Sequence, residues 1–234
     1  MQTEKITAVV LAGGSGKRMG GTVKKQYMLL AGHPVLYYSL DAFQKSCVDA
    51  IILVTNEKEY CQKEIVEAYH FDKVTKIVPG GAERYNSVYA GLLAAEESSY
   101  VLIHDGARPF VSQEMINHSI ETVRKYHACA VGMPVKDTIK IVDKSGFTVT
   151  TPKRETVWQV QTPQTFSYPL ILAAYEKVLA KQVEGITDDT MVAEYQSDVR
   201  VKLIEGSYDN MKITTPEDIA VAEALLKKSQ SIQE

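Results

Sequence analysis

Cysteine is scarce in this chain of 234 residues: Cys47, Cys61 and Cys129 stand apart, with no Cys-x-x-Cys pair. That spacing argues against a zinc ribbon or a disulfide framework and reads as three small apolar side chains in a reducing compartment. Five histidines, at 33, 70, 104, 118 and 127, lack metal-ligand spacing. Neither sign of charge dominates, since 26 Lys and Arg face 29 Asp and Glu, for a net charge of −3. No global basic field therefore recruits nucleic acid or an acidic membrane, and any anion site must be a local cluster of cations. The single Trp, without interleaved aromatic and basic residues, also speaks against nucleic-acid binding. No apolar run approaches the ~20 residues of a membrane helix. The opening MQTEKITAVVLAGG lacks a charged-then-apolar leader, so the expectation is a cytoplasmic protein without membrane contact.

What is present is alternation. ITAVVLA (6–12), AIILVTN (50–56), KIVPGG (76–81), YVLIHD (100–105) and ACAVGMPV (128–135) read as short buried strands. Between them, 34–46, 57–70, 87–98 and 112–127 carry helical spacing, with Pro34 suited to a first turn and Ser112 to an N-cap. Such alternation implies a mostly parallel sheet covered on both faces, with ligands at the carboxyl ends of the strands. Past residue 136 the pattern changes: DTIKIVDKSGFTVTT alternates about Asp143-Lys144-Ser145-Gly146, which predicts a β-hairpin. Helices follow at 168–181, 187–196 and 216–228, and a strand at 201–206. No linker or repeat interrupts the chain, so residues 1–234 are expected to form one domain with 137–155 as an arm.

Three turns after strands carry chemistry. In LAGGSGKRMGG (11–21) glycines let the backbone approach a ligand and aim N–H groups at phosphate oxygens. Arg18, Lys24 and Lys25 supply charge, yet the loop fits neither the Walker pattern nor the dinucleotide fingerprint. HDGARPF (104–110) ends a strand on Asp105, suited to Mg²⁺ or a hydroxyl, with Arg108 able to grip phosphate or to pair with Asp105. His104 reads as a packed histidine rather than a base. GGAERYNSV (80–88) offers backbone and donors (Arg84, Ser87) for a base edge, and Asn86 or Ser87 equally suits a helix cap. Farther on, Thr138, Lys140, Arg154, Thr162, Thr187 and Lys212 mix charge with hydroxyls, as a phosphorylated polyol requires. Lys136, Lys153 and Trp158 read as ordinary surface and packing residues.

Taken together, AVVLAGGSGKRMG, KKQY, GGAERYNSV, HDGARPF, PVKDTIK, VWQVQTPQTF, ITDD and DNMKITTPEDIAVAE resemble the 2-C-methyl-D-erythritol 4-phosphate cytidylyltransferases of the non-mevalonate isoprenoid pathway. The resemblance implies a Rossmann-like three-layer α/β nucleotidyltransferase fold, with a mostly parallel twisted sheet and a protruding β-hairpin arm that pairs two subunits as a homodimer. It implies that Ala12, Gly13, Gly14, Ser15, Gly16, Arg18 and Lys25 hold the CTP triphosphate. Gly80, Gly81 and Ser87 would surround cytosine and ribose. Asp105 would touch CTP and Mg²⁺ (or another divalent cation), the expected cofactor. Methylerythritol phosphate would lie on Asp105, Ala107, Arg108, Thr138 and Arg154, the last two serving the neighbouring subunit, and on Thr162, Thr187, Asp188 and Lys212. Arg18, Lys25 and Lys212 would do the catalytic work.

The expected reaction is attack of the substrate's phosphate oxygen on the α-phosphorus of CTP, with pyrophosphate leaving. Ribitol 5-phosphate is the rival substrate; a non-catalytic nucleotide sensor is the rival class. Against the family pattern, Lys24 stands where Pro is usual, Gly106 replaces an alanine and predicts a looser turn, and Asp189-Thr190 replaces Glu-Ala.

Overall fold

The computed structural model describes residues 4–14, 24–196 and 198–231. In chain order the elements are β1 (Ile6–Leu11), a 3-10 turn (Lys25–Tyr27), β2 (Leu29–Leu30), β3 (His33–Pro34), α1 (Val35–Gln44) and β4 (Ala50–Val54). Next come α2 (Lys58–Tyr60), which runs on as a π-helical stretch (Cys61–Glu67), then β5 (Val74–Val78), α3 (Arg84–Ala94) and β6 (Tyr100–Asp105). The remainder comprises α4 (Gln113–Tyr126), β7 (Ala128–Pro134), β8 (Ile141–Val142), β9 (Thr148–Thr150), a second 3-10 turn (Arg154–Thr156) and β10 (Trp158–Ser167). The chain closes with α5 (Tyr168–Ala180), α6 (Asp189–Glu194), β11 (Lys202–Glu205) and α7 (Glu217–Ser231).

Seven strands form the main sheet in the order β11-β7-β10-β6-β1-β4-β5. Strands β1, β4 and β6 are mostly apolar because both of their faces are covered. Val10 of β1 faces a cluster with Leu36 and Phe43 of α1 and Ile116 of α4. Its neighbour Val9 faces the opposite cluster, with Val88 and Leu92 of α3 and Tyr175 of α5. Adjacent residues thus serve two cores, which makes the three-layer α/β sandwich that the alternation predicts. β1 pairs in parallel with both β4 and β6, so the chain order reverses beside it. A crevice opens at such a switch point, outside the carboxyl ends of the strands. Leu11 lies opposite Asp105 in the register, placing the glycine turn and the aspartate side by side at that crevice.

The unforeseen element is β10. WQVQTPQTFS is mostly polar and contains Pro163, yet it runs antiparallel between β6 and β7 in the middle of the sheet. The ladder slips between Val160 and Gln164, so Pro163 falls where no strand donor is required. The slip turns its polar side chains into connectors. Gln161 donates to Ser207 O at 2.8 Å, and Gln164 Oε1 accepts from the amides of Asp189 and Thr190 at 2.8 and 3.0 Å. The sheet is accordingly mixed, with four parallel and two antiparallel pairings.

Two helices differ from the spacing-based reading. The segment 57–70 is largely π-helical rather than α-helical. α3 begins at Arg84 instead of residue 87, because the Asn86 side chain accepts from the Glu83 amide at 3.2 Å and starts the helix early. The Ser112 cap on α4 forms as expected, accepting from the Met115 amide at 3.1 Å. β8 and β9 make their own two-stranded sheet, on which Ile141, Val142 and Val149 are exposed and Phe147, in the turn between them, is 74% exposed.

Candidate active site

A cavity of about 380 Å³ opens at the switch point, a volume typical of small-molecule sites. Its walls bring together Ala12, Gly13, Gly14 and Lys25 from the turn after β1. Gly81 and Ser87 come from the turn before and the first turn of α3; Asp105 ends β6 and Ala107 follows it; Lys212 precedes α7. Segments far apart in sequence therefore converge as the motifs require. Ser15, Gly16 and Arg18 lie outside the described residues.

The loop's exit is held by Gln26, buried behind it, whose amide donates to Ala12 O at 2.6 Å and Gly14 O at 3.2 Å. Tyr27 Oη is 2.7 Å from Thr55 Oγ1 and pins the same 3-10 turn to the end of β4. That turn separates the two lysines: Lys24 ion-pairs with Glu57, while Lys25 lines the cavity. On the opposite wall Gly81 donates to Ser87 Oγ at 3.0 Å, and Gly80 to Asn56 Oδ1 at 2.9 Å. A Cβ at Gly81 would meet Asn86 Cβ at 2.3 Å, so only glycine lets the turn lie against α3. Asn86 completes a capping box with the N-cap Glu83, and Ser87 holds the turn, so the helix-capping reading of this motif applies.

Asp105 is the electrostatic centre. Lys212 Nζ donates to its Oδ2 at 2.6 Å, and Arg84 Nε to its Oδ1 at 3.2 Å. Burial alone would raise this carboxyl, but the charges of Arg84 and Lys212 outweigh it and hold the group well below the usual carboxylate range. Lys212 is brought there by its own segment: Ile213 N donates to Ala107 O at 2.8 Å, and Asn210 Nδ2 donates to Thr162 O at 3.0 Å. Arg108 belongs to this scaffold, its Nη1 donating to Asn210 O at 2.8 Å, and it is not among the residues lining the cavity. No Asp105–Arg108 ion pair forms among the described residues.

Beneath Asp105, the Thr162 hydroxyl accepts from the Asp105 amide at 3.1 Å and lies 3.0 Å from His104 Nδ1. His104 Nε2 stands 3.2 Å from Arg108 O, a pure acceptor, so the proton sits on Nε2 and Thr162 donates to Nδ1. Burial pushes His104 down to about 4. It is the packed, neutral histidine expected from sequence. The expected looser turn at Gly106 is not found: a Cβ there would meet Leu36 Cδ1 at 2.7 Å and Leu11 O at 3.0 Å, so glycine relieves crowding.

The other substrate-directed residues lie off this cavity. Thr162 is committed inward, and Asp188 caps α6, accepting from Met191 N at 3.0 Å and Thr190 Oγ1 at 2.7 Å. Thr187 is exposed beside that cap; Thr138 and Arg154 are exposed on the arm and its return. Lys136, read as ordinary loop polarity, lies over the Tyr208 ring at 3.6 Å, and Trp158 packs against Gly132 on β7, as its packing reading requires. The sequence assigns no role to Gln26 or Asn56, marks Asp189 only as a departure from the family pattern, and marks Arg84 only as a donor. Gln26 lies within the KKQY segment and Asn56 ends the apolar run 50–56, which is the signal the sequence offers.

The family model for 2-C-methyl-D-erythritol 4-phosphate cytidylyltransferase matches residues 6–228. The chain belongs to that family. Among curated relatives, the cytidylyltransferase of Lachnoclostridium phytofermentans is 48% identical, covering 97% of this chain and 98% of its own. That of Lachnospira eligens is 51% identical, covering 94% and 99%. The 4-diphosphocytidyl-2C-methyl-D-erythritol synthase structure from Anaerococcus prevotii superposes with a TM-score of 0.85 at 39% identity, covering 96% of each chain. The cytidylyltransferase structure from Thermus thermophilus gives 0.76 at 28%, covering 94% and 98%. The cavity thus sits on a cytidylyltransferase fold.

Proposed function

We propose that the protein transfers CMP from CTP to 2-C-methyl-D-erythritol 4-phosphate, releasing pyrophosphate and giving 4-diphosphocytidyl-2-C-methyl-D-erythritol for non-mevalonate isoprenoid biosynthesis. The observation that carries the reading is the Asp105–Lys212 pair at the mouth of a glycine-walled cavity in a chain of this family.

A phosphate monoester has a second pKa of about 6, so the attacking oxygen is already ionised near neutrality. No side chain is required as base, in keeping with His104 being enclosed and turned toward Thr162 and Arg108 O. The protein's task is alignment and charge stabilisation. In this reading Gly13, Gly14, Ser15 and Gly16 aim amides at the triphosphate, with Arg18 and Lys25 neutralising it. Gly80, Gly81 and Ser87 enclose the base and ribose. Lys212 lies where charge grows on the α-phosphate, steered by Asp105.

Among the described residues no three His, Cys, Asp or Glu side chains converge on one point. A divalent cation that rests on one carboxylate and on substrate phosphates still fits, because each Asp105 oxygen keeps a second lone pair beside its Arg84 or Lys212 contact. Asp105 would hold Mg²⁺ in this way, and the bound ion would neutralise triphosphate charge.

The exposed apolar arm supports a homodimer, since a two-stranded ribbon is marginal alone. In that dimer Thr138 and Arg154 reach the neighbour's methylerythritol phosphate, Ala107 and Thr187 meet it on the near side, and Arg108, Thr162 and Asp188 hold that side from behind through their bonds to Asn210, Asp105 and the start of α6. The separate thiols suit the reducing cytoplasm. The test is pyrophosphate release from CTP and Mg²⁺ that depends on methylerythritol 4-phosphate. Lys25→Ala should lower it by orders of magnitude in a folded protein, and wild-type turnover in that variant rejects the assignment.

A further inference from the structure

Behind the Asp105–Lys212 pair lies a second carboxylate that no part of the mechanism uses. Asp189, at the start of α6, is 0% exposed and sits on the far side of Arg84. Arg84 Nη1 and Nη2 donate to its two oxygens at 2.9 and 2.8 Å, and its Nε makes the contact with Asp105, at 3.2 Å. Tyr175 Oη on α5 donates to Asp189 Oδ1 at 2.5 Å, and Gln164 of β10 accepts from the Asp189 amide. Four charges thus stand in a row, Asp189, Arg84, Asp105 and Lys212, two of each sign.

The fold alone gives weak reason for this row. A buried ion pair is often no more stabilising than apolar residues of similar volume. Its order has a chemical consequence instead. A two-pronged guanidinium–carboxylate contact is stronger than a single one. An Arg84 freed from Asp189 would turn its fork onto both Asp105 oxygens and compete with Lys212 for the charge on Oδ2.

We propose that Asp189 is a positioning residue for the transfer: by engaging both Nη atoms of Arg84, it limits that guanidinium to one contact with Asp105 and keeps the carboxylate's other oxygen for Lys212. The inference rests on the cytidylyl-transfer reading. Asp189 touches neither substrate and acts through Arg84.

The experiment is steady-state kinetics with CTP, Mg²⁺ and methylerythritol 4-phosphate, with urea unfolding of each variant in parallel. Asp189→Asn should lower kcat at least tenfold while the KM for CTP stays within threefold. Asp189→Glu, which restores the charge, should recover most of that loss. In an Arg84→Gln background, Asp189→Asn should cost nothing further, because the path through Arg84 is already cut. Tyr175→Phe serves as the comparison for stability alone: it should lower the urea midpoint and leave kcat within threefold. Arg84→Lys, which keeps the charge but cannot span two carboxylates, gives a tenfold loss even where an Asp189 variant does not fold. Wild-type kcat in Asp189→Asn or in Arg84→Lys overturns the role. So does a loss that multiplies unchanged in the Arg84→Gln background, a Glu variant no better than Asn, or a Tyr175→Phe loss of kcat equal to that of Asp189→Asn. Absent wild-type turnover overturns the reaction assignment itself, whereas active wild type beside an equally active Asp189→Asn overturns only the positioning.

Discussion

Thr162→Val separates two roles for one hydroxyl, because valine keeps the shape and removes the oxygen. In the structure Thr162 is 3% exposed, accepts from the Asp105 amide at 3.1 Å and meets His104 Nδ1 at 3.0 Å. The substitution strands a buried donor and a buried acceptor. Each stranded group costs about 1–3 kcal/mol, so the loss should be roughly 2–5 kcal/mol after a small gain from the added methyl. Against a total of about 5–15 kcal/mol, that is a large fraction. With a urea m-value near the upper end of about 1–3 kcal/mol/M, as a chain of this size has, the midpoint should fall by roughly 1–2 M. Thr162→Ser, which keeps the hydroxyl, should lose much less. Urea unfolding followed by Trp158 fluorescence reads both, and kinetics on the folded fraction reads the KM for methylerythritol phosphate. An unchanged midpoint together with a raised KM would refute the reasoning, since the hydroxyl would then serve the substrate and not the floor beneath Asp105.

Four further outcomes are expected. Lys24→Ala should leave turnover within about threefold, because a half-exposed surface ion pair such as Lys24–Glu57 is worth about 1 kcal/mol, whereas Lys25→Ala loses orders of magnitude; equal losses in the pyrophosphate assay would contradict the division between them. Gly106→Ala should lower stability by about 1–3 kcal/mol in urea, since its Cβ must displace Leu36 or the Leu11 carbonyl, and a neutral result would mean the turn is slack. Burial pushes the Cys129 thiol from an ordinary 9 up to about 12. Its stabilisation is complete below pH 9, where folded and unfolded thiols are both protonated, and it fades as the unfolded thiol alone ionises toward pH 12, by roughly 4 kcal/mol at 1.36 kcal/mol per pH unit. Cys129→Ala should flatten that alkaline slope, and an unchanged slope would contradict the assignment. Phe147→Asp on the exposed arm should give a monomer by light scattering with weakened transfer; an intact dimer would move the interface elsewhere.

How much of this was legible in the sequence follows from what each residue does. β1, β4 and β6 are readable because two covered faces demand continuous apolar runs. β10 is not, because its Gln161, Thr162 and Gln164 serve neighbouring loops through hydrogen bonds and give no strand periodicity. The glycine turns and Asp105 announce themselves as short motifs after strands. Lys24 and Lys25 are indistinguishable until a 3-10 turn sends one toward Glu57 and the other toward the cavity. The Arg84–Asp189 pair joins residues 105 apart, and Asp189 looks like an ordinary helix-start acid until α5 and α6 fold over it.

The most direct test of the central claim is pyrophosphate release by the wild-type protein with CTP and Mg²⁺, offering methylerythritol 4-phosphate and ribitol 5-phosphate in separate reactions. The account predicts release with the first alone. Release with ribitol 5-phosphate, or none with either despite bound CTP, would contradict it.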